Sequence, residues 1–195
     1  MVDRIAVIAG KRVIKTSDIE REMRLTSFLN GQQVDASAKA RRAAAERLVD
    51  QQIIREELAS EGYARAGDHE ADAMLSQIVR DRFRGSMTEL RVGLQRYGLT
   101  ERDLHEQLVW QLTVLQFIDQ RFRAGVLVTD EEIETYYKQH LAEIKRESAK
   151  DFTLEAVSGK IKATLEGQRV DQEFEAWIVQ ARKQNRIEYK DAAFQ

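Results

Sequence analysis

The sequence of 195 residues contains no cysteine and no proline. Without cysteine the chain can form no disulfide, no thiolate nucleophile and no cysteine-ligated zinc or iron–sulfur site. The zero count suits a reducing or an oxidising compartment equally, so it does not fix where the protein acts. Average usage of about 5% predicts roughly ten prolines in a chain of this length. Their absence permits long uninterrupted helices and excludes proline-rich linkers.

Neither sign of charge dominates, since 31 Lys and Arg stand against 33 Asp and Glu and leave a net charge of -2. This balance gives no reason to expect nucleic acid or an anionic membrane as a partner. No apolar run reaches the roughly 18 to 20 residues of a membrane span, and the N-terminus lacks the pattern of a signal peptide. With 43% hydrophobic residues, the chain is expected to fold as a soluble protein with one sizeable core or two small lobes.

The common catalytic and nucleotide-binding motifs are also missing. His105 and Glu106 begin like the zinc-protease H-E-x-x-H motif, but a valine occupies the second histidine position. No G-x-G-x-x-G or Walker-type loop occurs, so an ATP-driven activity has no support. His69 and His140 are interpreted as solvated helix residues, and the acidic cluster at 130–132 as charges that stabilise a helix N-terminus. We therefore expect no catalytic residue, no metal site and no cofactor, and the protein is predicted not to be an enzyme.

Residues 3–23, DRIAVIAGKRVIKTSDIEREM, predict a short β-hairpin that continues directly into a helix. Ile5, Val7 and Val13 are expected to share one face of its sheet. A two-stranded hairpin alone is only marginally stable, so another strand is needed. The alternation of residues 186–190 predicts that strand, which would bring the two ends of the sequence together within one chain or across two.

Most of the remaining chain is predicted to be helical, because helix-start signals and apolar spacing recur along it. The predicted starts are Ser17, Ser37 to Arg42, Asp68, Ser86, Thr100 and Thr129, and the predicted stops include Gly31, Gly62 and Gly125. Residues 101–123 are interpreted as the central helix of the larger lobe. Its main apolar stripe includes Leu104 and Leu115, while Trp110 lies on another side.

Adaptable apolar side chains lie beside the predicted breaks between helices. They are Met23, Phe28, Leu29, Met74, Phe83 and Met87. Methionine and phenylalanine can pack against varied apolar partners. These six residues are candidates for contact with unfolded polypeptides, while packing in the protein's own core is the commoner role of each residue type.

Five segments, in the order in which they occur, resemble the SurA-like, parvulin-associated chaperones of the bacterial envelope. They are RIAVIAGKRVIKTSDIE, ERLVDQQIIREELASEGY, LQRYGLTERDLHEQL, VTDEEIETYYKQH and VDQEFEAWIVQARKQNRIEY. Together they span nearly the whole chain in family order. The resemblance implies a mainly α fold, a SurA- or trigger-factor-like helical chaperone module, with a small antiparallel sheet formed by the N-terminal hairpin and the C-terminal strand.

In SurA-like proteins a parvulin prolyl-isomerase domain usually follows the segment similar to TDEEIETYYKQH. Here only EIKRESAKDF separates that segment from the last helix, and about ten residues cannot form a domain, which needs at least ~50. The resemblance therefore implies a chaperone module without the parvulin domain, absent by nature or by removal. Residues 1–124 would form its N-terminal lobe, and residues 125–195 would supply the helices and the strand that complete it.

The resemblance also implies a function and a location. It implies an ATP-independent holdase that binds unfolded or partly folded client polypeptides in the periplasm, in outer-membrane protein biogenesis, with its signal peptide already removed. No nucleic acid, membrane span or cofactor is expected. Long proline-free helices would allow two copies to exchange terminal elements and form a homodimer. The alternative is a helical scaffold or adaptor with one fixed protein partner.

Overall fold

The computed structural model describes residues 3–147, 152–190 and 193–194, and within these ranges the chain is mainly helical, with seven α-helices and three short strands. The strands are β1 (Ile5–Ala9), β2 (Arg12–Lys15) and β3 (Ile187–Tyr189). The helices are α1 (Thr16–Asn30), α2 (Ala38–Glu61), α3 (Asp68–Arg82), α4 (Met87–Arg96), α5 (Glu101–Phe122), α6 (Asp130–Glu147) and α7 (Leu154–Gln184). None of these helices is long and apolar enough to cross a membrane.

The three strands form one antiparallel sheet in the order β2-β1-β3, so β1 is the central strand. Beyond the paired residues, Gly10 donates its backbone N–H to the Arg186 carbonyl at 2.9 Å. Lys190 likewise donates its backbone N–H to the Ala6 carbonyl at 2.8 Å. The third strand predicted at 186–190 is thereby confirmed, and the two ends of the chain meet in one sheet.

The prediction that Ile5, Val7 and Val13 share a sheet face is wrong. Val7 is fully buried, whereas Ile5 and Val13 are 46% and 47% exposed. Val7 lies opposite Ile14, which is also buried, and Ile8 lies opposite Val13. Directly opposite residues share a face, so Val13 lies on the other side of the sheet from Val7. A register shift separates Ile5 from Val7 on the same strand.

Four of the predicted helix starts are confirmed by side-chain hydrogen bonds. Ser37, Ser86, Thr100 and Thr129 each accept the backbone N–H of the residue three positions later, at 3.2, 3.2, 3.2 and 3.3 Å. Such bonds satisfy amides that have no partner inside the helix. The stops at Gly31 and Gly62 are confirmed as well. Both residues have a positive φ, 66° and 71°, which ends a helix and which glycine adopts without strain.

Two other predicted starts are shifted. Ser17 lies inside the first turn of α1, where Asp18 accepts the backbone N–H of Lys15 at 2.9 Å. Asp68 is the first residue of α3 rather than its cap, and Gly67 precedes the helix. In both cases an acidic side chain in the first turn accepts the backbone N–H of the residue before the helix. Each helix therefore begins earlier in the chain than a cap at Ser17 or Asp68 would place it.

The chain folds into two compact units. Unit 1 comprises residues 1–117 and 178–195, and unit 2 comprises residues 118–177. These units differ from the segments 1–124 and 125–195 of the sequence analysis, because β3 pairs with β1 and the end of α7 belongs with it to unit 1. The expectation that both segments complete one chaperone module stays a prediction.

The core of unit 1 is built on α5. Leu104 and Leu108 of α5 are fully buried in one cluster with Leu90 and Leu94 of α4. The predicted apolar stripe does not stay buried along its length, however, since Leu115 is 60% exposed. The covered face of α5 is therefore narrower than its apolar spacing predicts.

Unit 2 has its own small core. Ile133 of α6 packs with Val157 and Ile161 of α7. The guanidinium group of Arg169, also on α7, pairs with Glu132 and donates to the Leu127 carbonyl. This apolar core and these polar contacts join α7 to α6 and to the segment that precedes α6.

Candidate functional site

Unit 1 contains an open groove between α2, the loop that follows it, and α5. Its volume is about 470 Å³. We name it the Trp110 groove, and it is lined by Arg55, Leu58, Ala59, Tyr63, Arg65, Glu106, Trp110 and Thr113. The groove thus combines aromatic and aliphatic side chains with two solvent-exposed arginines.

The aromatic side chains of the groove are held by specific contacts. The guanidinium carbon of Arg55 lies 3.8 Å from the centre of the half-buried Trp110 ring, a cation–π contact between α2 and α5. Tyr63 makes an edge-to-face contact with Phe117, with ring centres 5.1 Å apart. Both aromatic walls are therefore fixed by neighbours before any ligand arrives.

The loop that carries Tyr63 and Arg65 is anchored to α5 by a buried threonine. The hydroxyl of Thr113 accepts the backbone N–H of Ala66 at 3.1 Å and donates to the Val109 carbonyl at 2.7 Å. A buried hydroxyl with both a donor and an acceptor partner stabilises the loop without leaving an unsatisfied donor. This anchor sets the position of the loop relative to α5.

A second cavity, of about 240 Å³, adjoins the groove and shares Arg55, Glu106 and Trp110 with it. It lies where the hairpin, α1, α2 and α5 come together. Arg21 of α1 bridges to α5 there, with its Nη2 atom 2.6 Å from Asp103 and 3.0 Å from Glu106. These charges pair with one another, so we interpret this cavity as a polar junction between helices.

Both of these carboxyl groups on α5 have pKa values below their ordinary range. For Glu106 the main cause of the lowered pKa is the side-chain hydrogen bond from Arg102, followed by the one from Arg21. For Asp103, burial alone would raise the pKa, but hydrogen bonds from Thr100 together with the charge of Arg21 outweigh it. Both side chains are therefore ionised at neutral pH.

Replacing Arg21 with glutamine is expected to weaken the acid dependence of the stability of unit 1. A carboxyl whose pKa is depressed in the folded state stabilises the fold above its unfolded pKa of about 4, and this contribution is lost as the pH falls through the folded value. Without Arg21, Asp103 and Glu106 titrate closer to their ordinary pKa, so less stability is lost in acid. Urea unfolding measured from about pH 6 to pH 3 tests this.

The matched control is Lys11→Gln, which removes one positive charge from the exposed turn of the hairpin. Its free energy of unfolding should fall with acid as steeply as that of the wild type. If Arg21→Gln gives the same slope as the wild type, the Arg21 bridge does not depress the two pKa values as described.

Arg55 and Arg65 have no carboxylate partner among the residues that the structure describes. Glu106 lines the same groove, but Arg102 binds it at 2.8 Å and Arg21 at 3.0 Å. Although Arg55 is exposed as a whole residue, partial burial of its guanidinium lowers its pKa, and the positive charge of Arg65 lowers it further. The groove thus carries unpaired positive charge beside an aromatic surface.

The six residues predicted to contact clients line neither cavity. Met23 and Phe28 are buried in unit 1, at 7% and 2% exposure, and Leu29 and Phe83 are half-buried against the same core. Met74 and Met87 are 38% and 36% exposed. Of the six, Met74 and Met87 therefore present the most surface to a partner, and client contact by these residues stays a prediction.

No group of three or more metal-binding side chains occurs in the described part of the chain. The Nε2 atom of His105 lies 3.2 Å from Asp72. His140 stacks on Tyr136 with ring centres 4.0 Å apart, and it is half-buried on α6 and so only partly solvated. His69 is exposed, as expected. None of the three histidines lines the Trp110 groove.

Sequence reasoning did not single out the Trp110 groove, although part of its pattern was readable. Glu106, Trp110 and Thr113 are spaced four and three residues apart, which places them on one face of α5. Arg55 and Leu58 share a face of α2 by the same rule. Helical spacing identifies each face separately, and the structure shows that the two faces line one groove.

No protein-family model matches the sequence, and no curated protein matches it. The chemistry of the site is therefore inferred from its own side chains. The groove can accept an apolar group against Trp110 and Leu58, and Arg55 and Arg65 can bind an anionic group.

Proposed function

We propose that the protein is an ATP-independent holdase, a SurA-like chaperone module without a parvulin domain, that binds unfolded or partly folded client polypeptides in the periplasm. The observation that carries this proposal is the Trp110 groove. It is concave and open, and it presents preorganised aromatic and aliphatic side chains to solvent. Such surfaces mark binding sites for apolar groups on soluble proteins.

The mode of binding follows from the size and composition of the groove. A volume of about 470 Å³ accommodates one or two side chains of an extended polypeptide, not a folded domain. Exposed Met74 and Met87 would add weak contacts at other points of the client. Several weak contacts hold a chain through their combined effect, yet each one can release it without ATP. In this proposal the protein performs no chemical step on the client.

The arrangement of the termini supports the SurA-like part of the proposal. The resemblance implies a small sheet in which the hairpin and the C-terminal strand meet, and β1 does pair with β3. Exchange of β3 between two copies would preserve the same strand pairing, which is how terminal elements form homodimers. A homodimer formed by this exchange would therefore need no new contact surface.

An aggregation assay distinguishes the proposed holdase from an adaptor with one fixed partner. The wild-type protein is added, without nucleotide, to three unrelated proteins diluted from denaturant, and light scattering is followed. A holdase should suppress the scattering of all three clients at near-equimolar amounts, because it recognises exposed apolar side chains and not one folded surface.

The control for this assay is an equal mass of a folded protein without chaperone activity. An adaptor would leave all three clients to aggregate as they do with that control. Scattering unchanged by the wild-type protein would therefore refute the proposed function.

A further inference from the structure

We propose that the Trp110 groove selects client segments in which a side-chain carboxylate lies beside an aromatic or large aliphatic residue. Arg55 and Arg65 would bind the carboxylate, and Trp110 and Leu58 would contact the apolar side chain. This inference rests on the proposed function, because it names the class of client segment that the groove holds.

The geometry of Arg55 leaves its hydrogen-bond donors available. Its guanidinium lies 3.8 Å from the centre of the Trp110 ring, so one face of the guanidinium is used in the contact with the indole. The N–H groups of arginine point outward in the guanidinium plane, in a fork that matches the two oxygens of a carboxylate. No described side chain pairs with these donors.

The charges around Arg55 define the sign of the ligand. Arg65 lines the same groove and adds a second positive charge. Glu106 does not neutralise either one, because Arg21 and Arg102 bind its oxygens. A carboxylate therefore gains two positive partners here, a neutral amide gains less, and an ammonium group is repelled.

The neighbouring cavity argues for a polypeptide ligand. An arginine stacked on tryptophan could also receive a nucleobase, but single-stranded nucleic acid needs a basic track for its phosphates. The adjoining cavity provides no such track, because its Arg21 pairs with Asp103 and Glu106, and its Glu22 pairs with Arg47. A phosphate backbone leaving the groove on that side would find no unpaired positive charge beyond Arg55, whereas a polypeptide backbone is neutral and needs none.

Fluorescence anisotropy with four labelled, N-acetylated twelve-residue peptides tests the proposal. Three of the peptides have one phenylalanine, followed by glutamate, glutamine or lysine, and an amidated C-terminus. The fourth peptide is the glutamine peptide with a free C-terminal carboxylate. The glutamate peptide should bind about ten- to a hundred-fold more tightly than the glutamine peptide, as expected for a charged hydrogen-bonded pair, and the lysine peptide should bind most weakly.

With Arg55→Gln, the affinities for the glutamate and glutamine peptides should differ by no more than about three-fold. With Arg65→Gln, the preference for the glutamate peptide should be reduced but not lost. The matched control is Arg96→Gln, an exposed arginine of α4 that does not line the groove, and it should keep the wild-type preference. Circular dichroism confirms that each variant is folded. Arg55→Lys should restore part of the preference but not the wild-type level, because lysine keeps the positive charge and loses the two parallel hydrogen bonds of the guanidinium group.

Three results would overturn the inference. The first is equal affinity of the wild type for the glutamate and glutamine peptides. The second is binding of the free-carboxylate peptide as tightly as the glutamate peptide. The third is tighter binding of a labelled oligothymidylate than of the glutamate peptide. If any of these results were found and the wild type still suppressed aggregation of the three unrelated clients, the inference would fail and the proposed function would stand. If the wild type did not suppress that aggregation, the proposed function itself would be refuted.

Discussion

Replacing Leu104 with alanine is expected to lower the free energy of unfolding of unit 1 by about 2–5 kcal/mol. Leu104 is fully buried in the cluster that joins α5 to α4. Its truncation removes buried methyl groups and leaves a cavity within this cluster, which cannot collapse without moving a helix. Few single substitutions on α5 should cost more, because its other end is partly exposed.

Trp110 lies in unit 1 and Trp177 in unit 2, so a Trp177→Phe background lets the fluorescence of Trp110 report unit 1 alone. Urea unfolding in that background compares Leu104→Ala with Leu115→Ala. Leu115 belongs to the same helix but is 60% exposed, and its truncation should change the free energy by no more than about 0.5 kcal/mol. Equal losses for the two variants would mean that the buried face of α5 is assigned wrongly.

Deleting residues 186–195 is expected to release the N-terminal hairpin from much of its protection. The deletion removes β3, including the Arg186 carbonyl that accepts the Gly10 amide. It also removes Tyr189, whose ring centre lies 3.4 Å from the guanidinium carbon of Arg42 on α2. What remains is a two-stranded hairpin against helices, which is near the limit of stability.

Hydrogen exchange followed by NMR measures this release. The amides of Gly10 and Val7 should exchange at least about ten-fold faster after the deletion, since local opening then costs less. Ile161, in the core of unit 2, provides the internal control and should exchange at an unchanged rate. If Gly10 and Val7 keep their wild-type rates, β3 does not stabilise the hairpin.

Helix ends were the part of the fold that the sequence predicted best, because capping depends on a few neighbouring residues. Ser86, Thr100 and Thr129 cap their helices through bonds to amides three positions away. The third strand was also predictable, since an unpaired hairpin needs a partner and the C-terminal alternation supplied one. These features follow from local chemistry and a simple count of strands.

Features that depend on register or on coverage were harder to predict. Val7 and Val13 differ in burial because Val7 pairs opposite Ile14 and Val13 opposite Ile8, which places the two valines on opposite faces of the sheet. Leu104 and Leu115 both belong to the predicted stripe, yet one is fully buried and the other is exposed. Apolar spacing shows which side of a helix is apolar, but the neighbouring elements decide how far that side is covered.

The candidate site was the least predictable feature. Met23 and Phe28 look adaptable in sequence, but they fill the core of unit 1. In the sequence, Trp110 lies on a second apolar side of the predicted central helix. Its role depends on Arg55, which is 55 residues earlier in the chain and contacts it from α2. A contact at that sequence separation has no local signal.

The most direct test of the central claim, that the Trp110 groove holds clients, is the aggregation assay repeated with Trp110→Ala and Leu115→Ala. Both variants remove a large apolar side chain from α5, but Leu115 does not line the groove. With circular dichroism showing both to be folded, Trp110→Ala should lose most of the suppression of all three clients, and Leu115→Ala should retain it. Suppression by Trp110→Ala equal to that of the wild type would contradict the account.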